Sequence, residues 1–294
     1  MLTRLRGRRA ALAAAWSAVR ARGLPPGVSD ERIWQALLAE FEWLYGQMDR
    51  ALRRRVEPVF MLFELKTIVL CVRNKAAHRA TEIDGLIGQS LLGAPLRQAL
   101  QGERGVPATI AAVTAVIGAV APLAREAADG YASGGLRGFE DGLMRGYLAH
   151  VATAPLDAAV RRFFEAFTDL RNVMILYKQM RWGIADPAAF IRGGTLDPVV
   201  FERALASKRP AVVAEVASRA TGLKSLPPAA TEGSIETVLL STLARRLHLA
   251  ARAGGTVEVV IDYLWRKYAE ARNSAVLLHG RGAGASELER ELIA

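Results

Sequence analysis

Three stretches of the sequence share one pattern: Glu-Leu-Lys-Thr at 64–67, Asp-Leu-Arg-Asn at 169–172 and Glu-Ala-Arg-Asn at 270–273. Each has an acid, a small or medium apolar residue, a base and then a short side chain that forms hydrogen bonds. The three stretches lie about one hundred residues apart, inside segments whose patterning is typical of helix. A helical unit used three times predicts a pseudo-symmetric body, and such bodies more often hold partners than catalyse reactions.

The similarity between the copies extends beyond these four residues. A shift of 105 residues, without gaps, aligns the apolar positions of the first two copies: Leu62, Leu65, Val69 and Val72 with Phe167, Leu170, Met174 and Tyr177. Because these positions are three or four residues apart, they predict an apolar stripe along one side of a helix. The same shift aligns residues 86–91 with 191–196, and a further shift of 101 brings the third copy into register.

The polar residues of each copy face different directions on a helix. The acid and the fourth residue lie on neighbouring faces, whereas the base points to roughly the opposite side. We therefore expect the acid and the fourth residue to form a local polar patch, and the base to reach another helix or a partner. The alternative is a solvated helical face with ordinary charges. The candidate polar or interface positions are Glu64, Lys66, Thr67, Asp169, Arg171, Asn172, Glu270, Arg272 and Asn273.

Composition predicts an all-α fold. The 294 residues are 51% hydrophobic and only 7% aromatic, and the chain is rich in Ala, Leu, Arg and Glu with few long runs of β-branched residues. This length fits three helical modules, which we place at residues 1–100, 101–205 and 206–294. Gly and Pro residues mark breaks between helices, and the Gly-rich stretch 131–142 is expected to be a loose connection.

Two segments bear on targeting and membrane insertion. Residues 106–124 carry no charge, but they are dominated by Ala, so we favour a buried helix over a membrane span. Residues 1–23 are rich in Arg but almost lack Ser, and we favour an amphipathic helix of the mature chain over a targeting peptide. The single cysteine, Cys71, is expected to be a buried thiol in a protein of a reducing compartment.

Residues that would support catalysis are not gathered in the sequence. The four histidines, at 78, 150, 248 and 279, lack the spacing that places two metal ligands on one helix face. The chain has neither a Gly-rich phosphate-binding loop nor a Gly-x-Ser-x-Gly nucleophile motif. We therefore expect no catalytic site, no bound metal and no cofactor. A helical enzyme with a buried carboxylate site is the remaining enzymatic interpretation.

The formal net charge of +10 indicates an affinity for anions. Eleven arginines lie in the first sixty residues, so an Arg-rich helical adaptor for nucleic acid or an anionic membrane surface is the alternative function. Nucleic-acid binding would call for interleaved aromatic residues or a known DNA-binding pattern, and neither is present. High genomic use of Arg, with a solvated basic face, is the other explanation. We do not expect nucleic acid as a partner.

The three copies, in order, resemble the repeated helix of the C-subunit family of rotary V-type and A-type ATPases, whose eukaryotic members are called the d subunit. The resemblance rests on residues 63–75, 169–176 and 263–273, together with the Ile-Arg-Gly-Gly-Thr-Leu loop at 191–196. It extends over nearly the whole chain. Thr67 in place of Asn in the first copy, and Ser274 with Ala275 in the third, depart from the family pattern.

This resemblance implies an all-α, funnel-shaped body of three pseudo-symmetric modules without an active site. Such a protein sits on the membrane rotor ring, receives the central shaft and transmits torque between ATP turnover and ion transport. The implied partners are the central shaft subunits and the rotor-ring subunit, with membrane contact only through the ring. The implied location is cytoplasmic and peripheral to the membrane. We expect shaft contacts near the repeats and ring contacts around Gly88, Gly193 and Gly282.

Overall fold

The computed structural model describes residues 1, 3–5, 7–8, 27–102, 104–223, 232–280, 288 and 291–293. These residues form helices and loops without a β-strand, which confirms the all-α prediction. Most of the predicted amino-terminal helix lies outside the described residues. The α-helices that the structure describes with defined bounds are α1 (Asp30–Gly46), α2 (Arg50–Ala76), α3 (Ala80–Gly88), α4 (Ala94–Gln101), α5 (Val106–Val116), α6 (Ala121–Thr153), α7 (Ala158–Trp182), α8 (Pro198–Ser207), α9 (Ala211–Thr221), α10 (Glu232–Ala253) and α11 (Thr256–His279).

Short polar side chains begin several of these helices. Ser29 accepts a hydrogen bond from the Arg32 N–H at 3.3 Å at the start of α1. Asp49 accepts from the Leu52 N–H at 2.8 Å at the start of α2, and Asp157 caps α7 in the same way. Each cap satisfies a backbone donor that has no partner within the helix. The sequence therefore fixes these starts locally.

The chain forms two compact units, residues 29–155 and residues 1–28 with 156–294. In the first unit, α2 packs against α3, α5 and α6, and its aromatic residues meet those of α1. The rings of Phe41 and Phe63 are 5.2 Å apart, and Phe60 lies edge-on to Phe41 at 5.8 Å. Edge-on and tilted aromatic pairs of this kind stabilise a core beyond their buried area. The three-module division at residues 100 and 205 stays a prediction.

In the second unit, α7 packs against each of α8, α9, α10 and α11. Trp265 of α11 is buried against two aromatic residues of α7, with its ring 6.1 Å from Phe163 and 6.2 Å from Phe167. The motif-bearing helices α7 and α11 therefore share one core. The motif-bearing helix α2 occupies the centre of the other unit, and its apolar stripe is buried as predicted.

The Gly-rich stretch 131–142 is not a loose connection, so that prediction is wrong. Helix α6 folds back at Gly135, whose φ of 59° is left-handed, to form a hairpin with arms 121–134 and 136–153. A Cβ placed on Gly130 would overlap the carbonyl oxygen of Gly138 in the other arm, and a Cβ on Gly142 would overlap that of Glu126. Glycine is needed here because the backbones of the two arms touch.

The uncharged stretch 106–124 is divided between α5, a 3₁₀ turn at Ile117–Ala119 and the start of α6. Ile110 and Val113 of α5 are buried within the unit 29–155. Among the described residues, no helix combines the length and the apolar character that crossing a bilayer demands. Cys71 of α2 is also buried, as predicted, and burial raises the pKa of its thiol to about 12.

Candidate functional site

The acid of the first copy, Glu64 of α2, is fully buried and holds the loop that follows α3. The Leu91 N–H donates to its Oε1 at 2.7 Å, and the Ser90 hydroxyl donates to its Oε2 at 2.8 Å. Burial raises the pKa of Glu64, while the hydrogen bonds from Leu91 and Ser90 oppose that rise. The carboxylate therefore ties loop 89–93 to α2.

The acid of the second copy, Asp169 of α7, makes the corresponding contacts with loop 190–197. The Thr195 N–H donates to Oδ2 at 3.1 Å, the Thr195 hydroxyl donates to the same oxygen, and the Leu196 N–H donates to Oδ1 at 3.2 Å. Burial raises the pKa of Asp169 as well, against the hydrogen bonds from Thr195 and Leu196. Acid, hydroxyl and following N–H are each 105 residues from their counterparts in the first copy, so the alignment of the two loops describes a real structural repeat.

The two loops approach their helices differently. A Cβ on Gly194 would overlap Oδ1 of Asp169, whereas a Cβ on Gly88 has nothing within 4 Å. Gln89 occupies the position of Gly194 in the first copy. Aspartate is one methylene shorter than glutamate, so the loop comes closer to the helix where the acid is Asp169. The pair of glycines at 193–194 thus reflects close approach at Gly194 and a left-handed φ of 96° at Gly193.

The fourth residue of the motif forms a second attachment in two of the copies. The side-chain amide of Asn172 donates to the Ile191 carbonyl and accepts from the Ile191 N–H, both at 2.8 Å. Asn273 of α11 makes the same pair of bonds with Ile293, at 2.9 and 2.8 Å. The partner lies 19 residues after the first asparagine and 20 after the second. In each case one asparagine satisfies both backbone groups of a buried isoleucine.

Comparison with known protein families finds a match over most of the chain. The family model described as ATP synthase (C/AC39) subunit matches residues 14–291. The chain belongs to this family. No curated protein sequence matches the chain. The family match confirms the resemblance to the C-subunit family of V/A-type ATPases.

The three copies in this member of the C/AC39 family retain different parts of the attachment. The second copy has both parts, because Asp169 and Asn172 each bind the following loop. In the first copy Thr67 instead accepts a hydrogen bond from the Trp34 indole N–H at 3.3 Å. In the third copy Glu270 pairs with Lys267 of its own helix at 2.6 Å. The first copy therefore keeps the acidic half of the attachment, and the third keeps the amide half.

The bases of the motif lie away from the buried acids, as expected from helical geometry. Lys66 is exposed, and Arg171 is half-buried. Arg272 reaches beyond its own helix, because it donates to the Glu291 carbonyl at 3.0 Å and to a carboxylate oxygen of Glu236 in α10 at 3.3 Å. For Arg272, the expectation that the base contacts another element is confirmed.

Sequence reasoning missed the loop residues that complete these attachments. Ser90 and Thr195 are hydroxyl residues at matched positions of the two aligned loops, so the alignment contained a signal for them. Ile293 carried no signal, because it contributes only backbone atoms and follows a segment without a repeat pattern. Gln179 of α7 was also missed, although its amide donates to the Asp186 carbonyl at 2.8 Å and accepts from the Asp186 N–H at 2.7 Å.

The chemistry of this site is attachment of loops to helices. Glu64 and Asp169 are both 0% exposed, and their oxygens receive hydrogen bonds from the protein itself. Within the part of the chain that the structure describes, no group of three or more His, Cys, Asp or Glu residues could hold a metal ion. Buried polar groups that are fully bonded in this way fix a loop in one conformation.

Proposed function

We propose that this chain is a non-catalytic subunit of the central stalk of a V/A-type ATPase. In this role it connects the rotor shaft to the membrane ring that carries ions, and so couples ATP turnover to proton or sodium transport. The observation that carries the proposal is the C/AC39 family match over residues 14–291. The proposed location is the cytoplasmic face of the membrane, with membrane contact only through the ring.

The buried attachments support a mechanical role. A part that transmits torque must deform little under load, and close-packed helices with hydrogen-bonded loops resist deformation. Glu64, Asp169 and Asn172 fix two loops to the helices that carry the motif, and Asn273 fixes residue 293. These bonds replace flexible connections with rigid ones. They agree with a connector more readily than with a catalyst.

The same attachments bear on where partners bind. We propose that the bases of the motif and the loops near Gly88 and Gly193 meet the shaft and the ring, respectively. Lys66 is the exposed base among the nine candidate positions. Two of the acids, Glu64 and Asp169, and all three fourth residues are buried and support these surfaces from inside the protein. Gly282, the third loop position, lies outside the described residues.

The test of the coupling role compares membranes that contain the complete ATPase with membranes prepared without this chain. We expect ATP hydrolysis by the head to persist without the chain, whereas ATP-driven ion uptake into vesicles is lost. Addition of the purified chain should restore uptake. Undiminished ion pumping without the chain would contradict the proposal. Salt-sensitive binding of the chain to DNA or to anionic vesicles lacking the ATPase would favour the adaptor function instead.

A second test addresses the exposed base. Lys66→Glu reverses a charge of the motif, and Arg54→Glu reverses an exposed charge elsewhere on α2. We expect only Lys66→Glu to slow reassembly of the stripped complex, and most strongly at low salt, because surface charges mainly set association rates. Equal rates for the two variants would remove Lys66 from the interface.

A further inference from the structure

An apolar groove lies at the carboxyl end of α7, within the unit that contains residues 156–294. It has a volume of about 520 Å³ and opens between the end of α7, the segment after it and α8. Its apolar walls come from Met180, Ile184, Pro187, Leu205 and Ala206. Two charged residues, Glu202 and Lys208, also line it. This volume is in the range that accommodates a few large side chains of a ligand or partner.

The surface around the groove exposes unusual apolar area. Among the described residues, five large hydrophobic side chains are exposed, and three of them belong to this region: Trp182 at 48%, Ile184 at 48% and Val199 at 41%. Val199 begins the face of α8 that continues through Glu202 and Ala206 into the groove. Clustered exposed apolar side chains mark interaction surfaces, whereas single ones are ordinary.

Hydrogen bonds hold the groove in this shape. Gly183 ends α7 with a left-handed φ of 65°, and the Ile184 N–H then donates to the Gln179 carbonyl at 2.9 Å. The buried Gln179 amide binds both backbone groups of Asp186, which positions the 3₁₀ turn at Pro187–Ala189. A wall fixed in this way loses little conformational entropy when a partner binds.

The charges beside the groove indicate the kind of partner. The two wall segments, residues 178–187 and 198–210, contain five bases and two acids, and one of the bases, Arg209, pairs with Glu215 at 3.5 Å. One of those acids, Asp186, is engaged as the cap of the 3₁₀ turn, where it accepts from the Ala188 N–H at 3.1 Å. An apolar groove with a basic surround complements a helix that carries apolar residues on one face and acids beside them.

We propose that this groove binds an acidic amphipathic helix of another subunit of the ATPase, with its apolar face seated between Ile184 and α8. The inference rests on the proposed function only in placing the partner in the same complex. Trp182 and Ile184 form the apolar contact, and Lys208 with Arg181 faces the acids of the partner helix. The surface exposed in the isolated chain is thus covered on assembly.

The experiment places a photoreactive phenylalanine analogue at position 184 of the chain in the assembled complex. A matched control carries the analogue at Leu249 of α10, which is 57% exposed and does not line the groove. We expect position 184, and not position 249, to crosslink to an acidic amphipathic segment of another ATPase subunit, identified by mass spectrometry. Crosslinking to a second copy, to another part of this chain, to lipid or to nothing would overturn the proposal.

Binding measurements complete the test. Ile184→Asp places a negative charge at the mouth of the groove and should weaken binding to the stripped complex about tenfold or more, while Leu249→Asp should leave it unchanged. If both variants bind the stripped complex equally well, the proposal that the groove is a binding site is wrong. If ion pumping depends on the chain but the analogue at position 184 forms no crosslink, the groove is not a binding site, whereas the proposed coupling role is still supported. If position 184 crosslinks as expected but pumping does not need the chain, the coupling role fails instead.

Discussion

The motif helices α2 and α7 carry the same polar pattern but use it differently. In α7 the acid and the asparagine both bind loop 190–197, whereas in α2 the acid binds loop 89–93 and Thr67 binds Trp34. The difference follows from what comes after each helix. The chain after α7 is largely irregular up to α8, so its Ile191 backbone needs outside partners. The chain after α2 soon forms α3, whose backbone is satisfied within the helix.

This comparison shows that a repeated motif specifies positions on a helix rather than partners. The acid retains its role in both helices because both loops offer a hydroxyl followed by a free N–H. The fourth residue changes its role because only one loop offers a complete backbone pair. The departure of Thr67 from the family pattern therefore has a structural reason, since a threonine hydroxyl suffices to accept from an indole.

The largest expected effect comes from removing the amide of the complete copy. Asn172→Ala leaves the N–H and the carbonyl of Ile191 buried without partners, and we expect a loss of about 2–4 kcal/mol in the free energy of unfolding. Thr67→Ala removes the bond from the Trp34 indole N–H and the side-chain bond between Thr67 and Glu64, but it leaves no backbone group without a partner, and it should cost about 1–2 kcal/mol. Urea unfolding followed by circular dichroism measures both. Equal losses in the two variants would contradict the assigned difference between the copies.

A second comparison tests how closely each loop approaches its helix. Gly194→Ala forces a methyl group onto the Asp169 carboxylate, so we expect a loss of about 1–3 kcal/mol. Gly88→Ala is the matched control, because a Cβ there meets nothing within 4 Å, and its effect should stay within about 0.5 kcal/mol. Thermal and urea unfolding of both variants measure these losses in the free energy of unfolding. A tolerated alanine at 194 would show that the loop does not need this close approach.

The two acids should differ when they are replaced by their amides. Each oxygen of Asp169 accepts a hydrogen bond from a backbone N–H. In Asp169→Asn the NH₂ group replaces one of these oxygens, so two hydrogen-bond donors face each other and that bond is lost. In Glu64→Gln the NH₂ group can face Ser90, whose hydroxyl rotates and accepts. We expect Asp169→Asn to be less stable than Glu64→Gln by about 1–2 kcal/mol. The free energies of unfolding at neutral pH measure this difference, and the opposite order would overturn the assignment.

The smallest expected effect is a pH dependence that both acids share. Their pKa values in the folded chain are raised above the ordinary 4.5 and 3.8, so the native state binds protons more strongly than the unfolded state does. Their contribution to stability is therefore fully present below those ordinary values and is lost as pH rises through the folded pKa. In Glu64→Gln the side chain at position 64 does not titrate, so its contribution to stability does not depend on pH. The stability of the wild type relative to this variant should fall as pH rises above the ordinary value, and a rise would contradict the sign.

Much of the fold followed from the sequence. The apolar stripes predicted the buried faces of α2 and α7. The alignment at a shift of 105 matched Ser90 with Thr195, and these two residues make equivalent contacts. These features depend on residues close together in the chain, or on a repeat that copies them. The misjudged stretch 131–142 shows the limit of this reasoning. Its glycines are typical of a break between helices, but in the structure they allow the backbones of two helical arms to touch.

The sequence by itself determined that the chain is helical, where the motif recurs, and which side of each helix is polar. Helical periodicity and side-chain chemistry fix these properties locally. Tertiary structure decided which polar residues became buried, that Asn273 binds Ile293, and that Gln179 shapes a groove with an exposed rim. A hydrogen bond between distant residues depends on where the backbone between them travels, and that path is set by packing of the whole unit rather than by the pattern of any one helix.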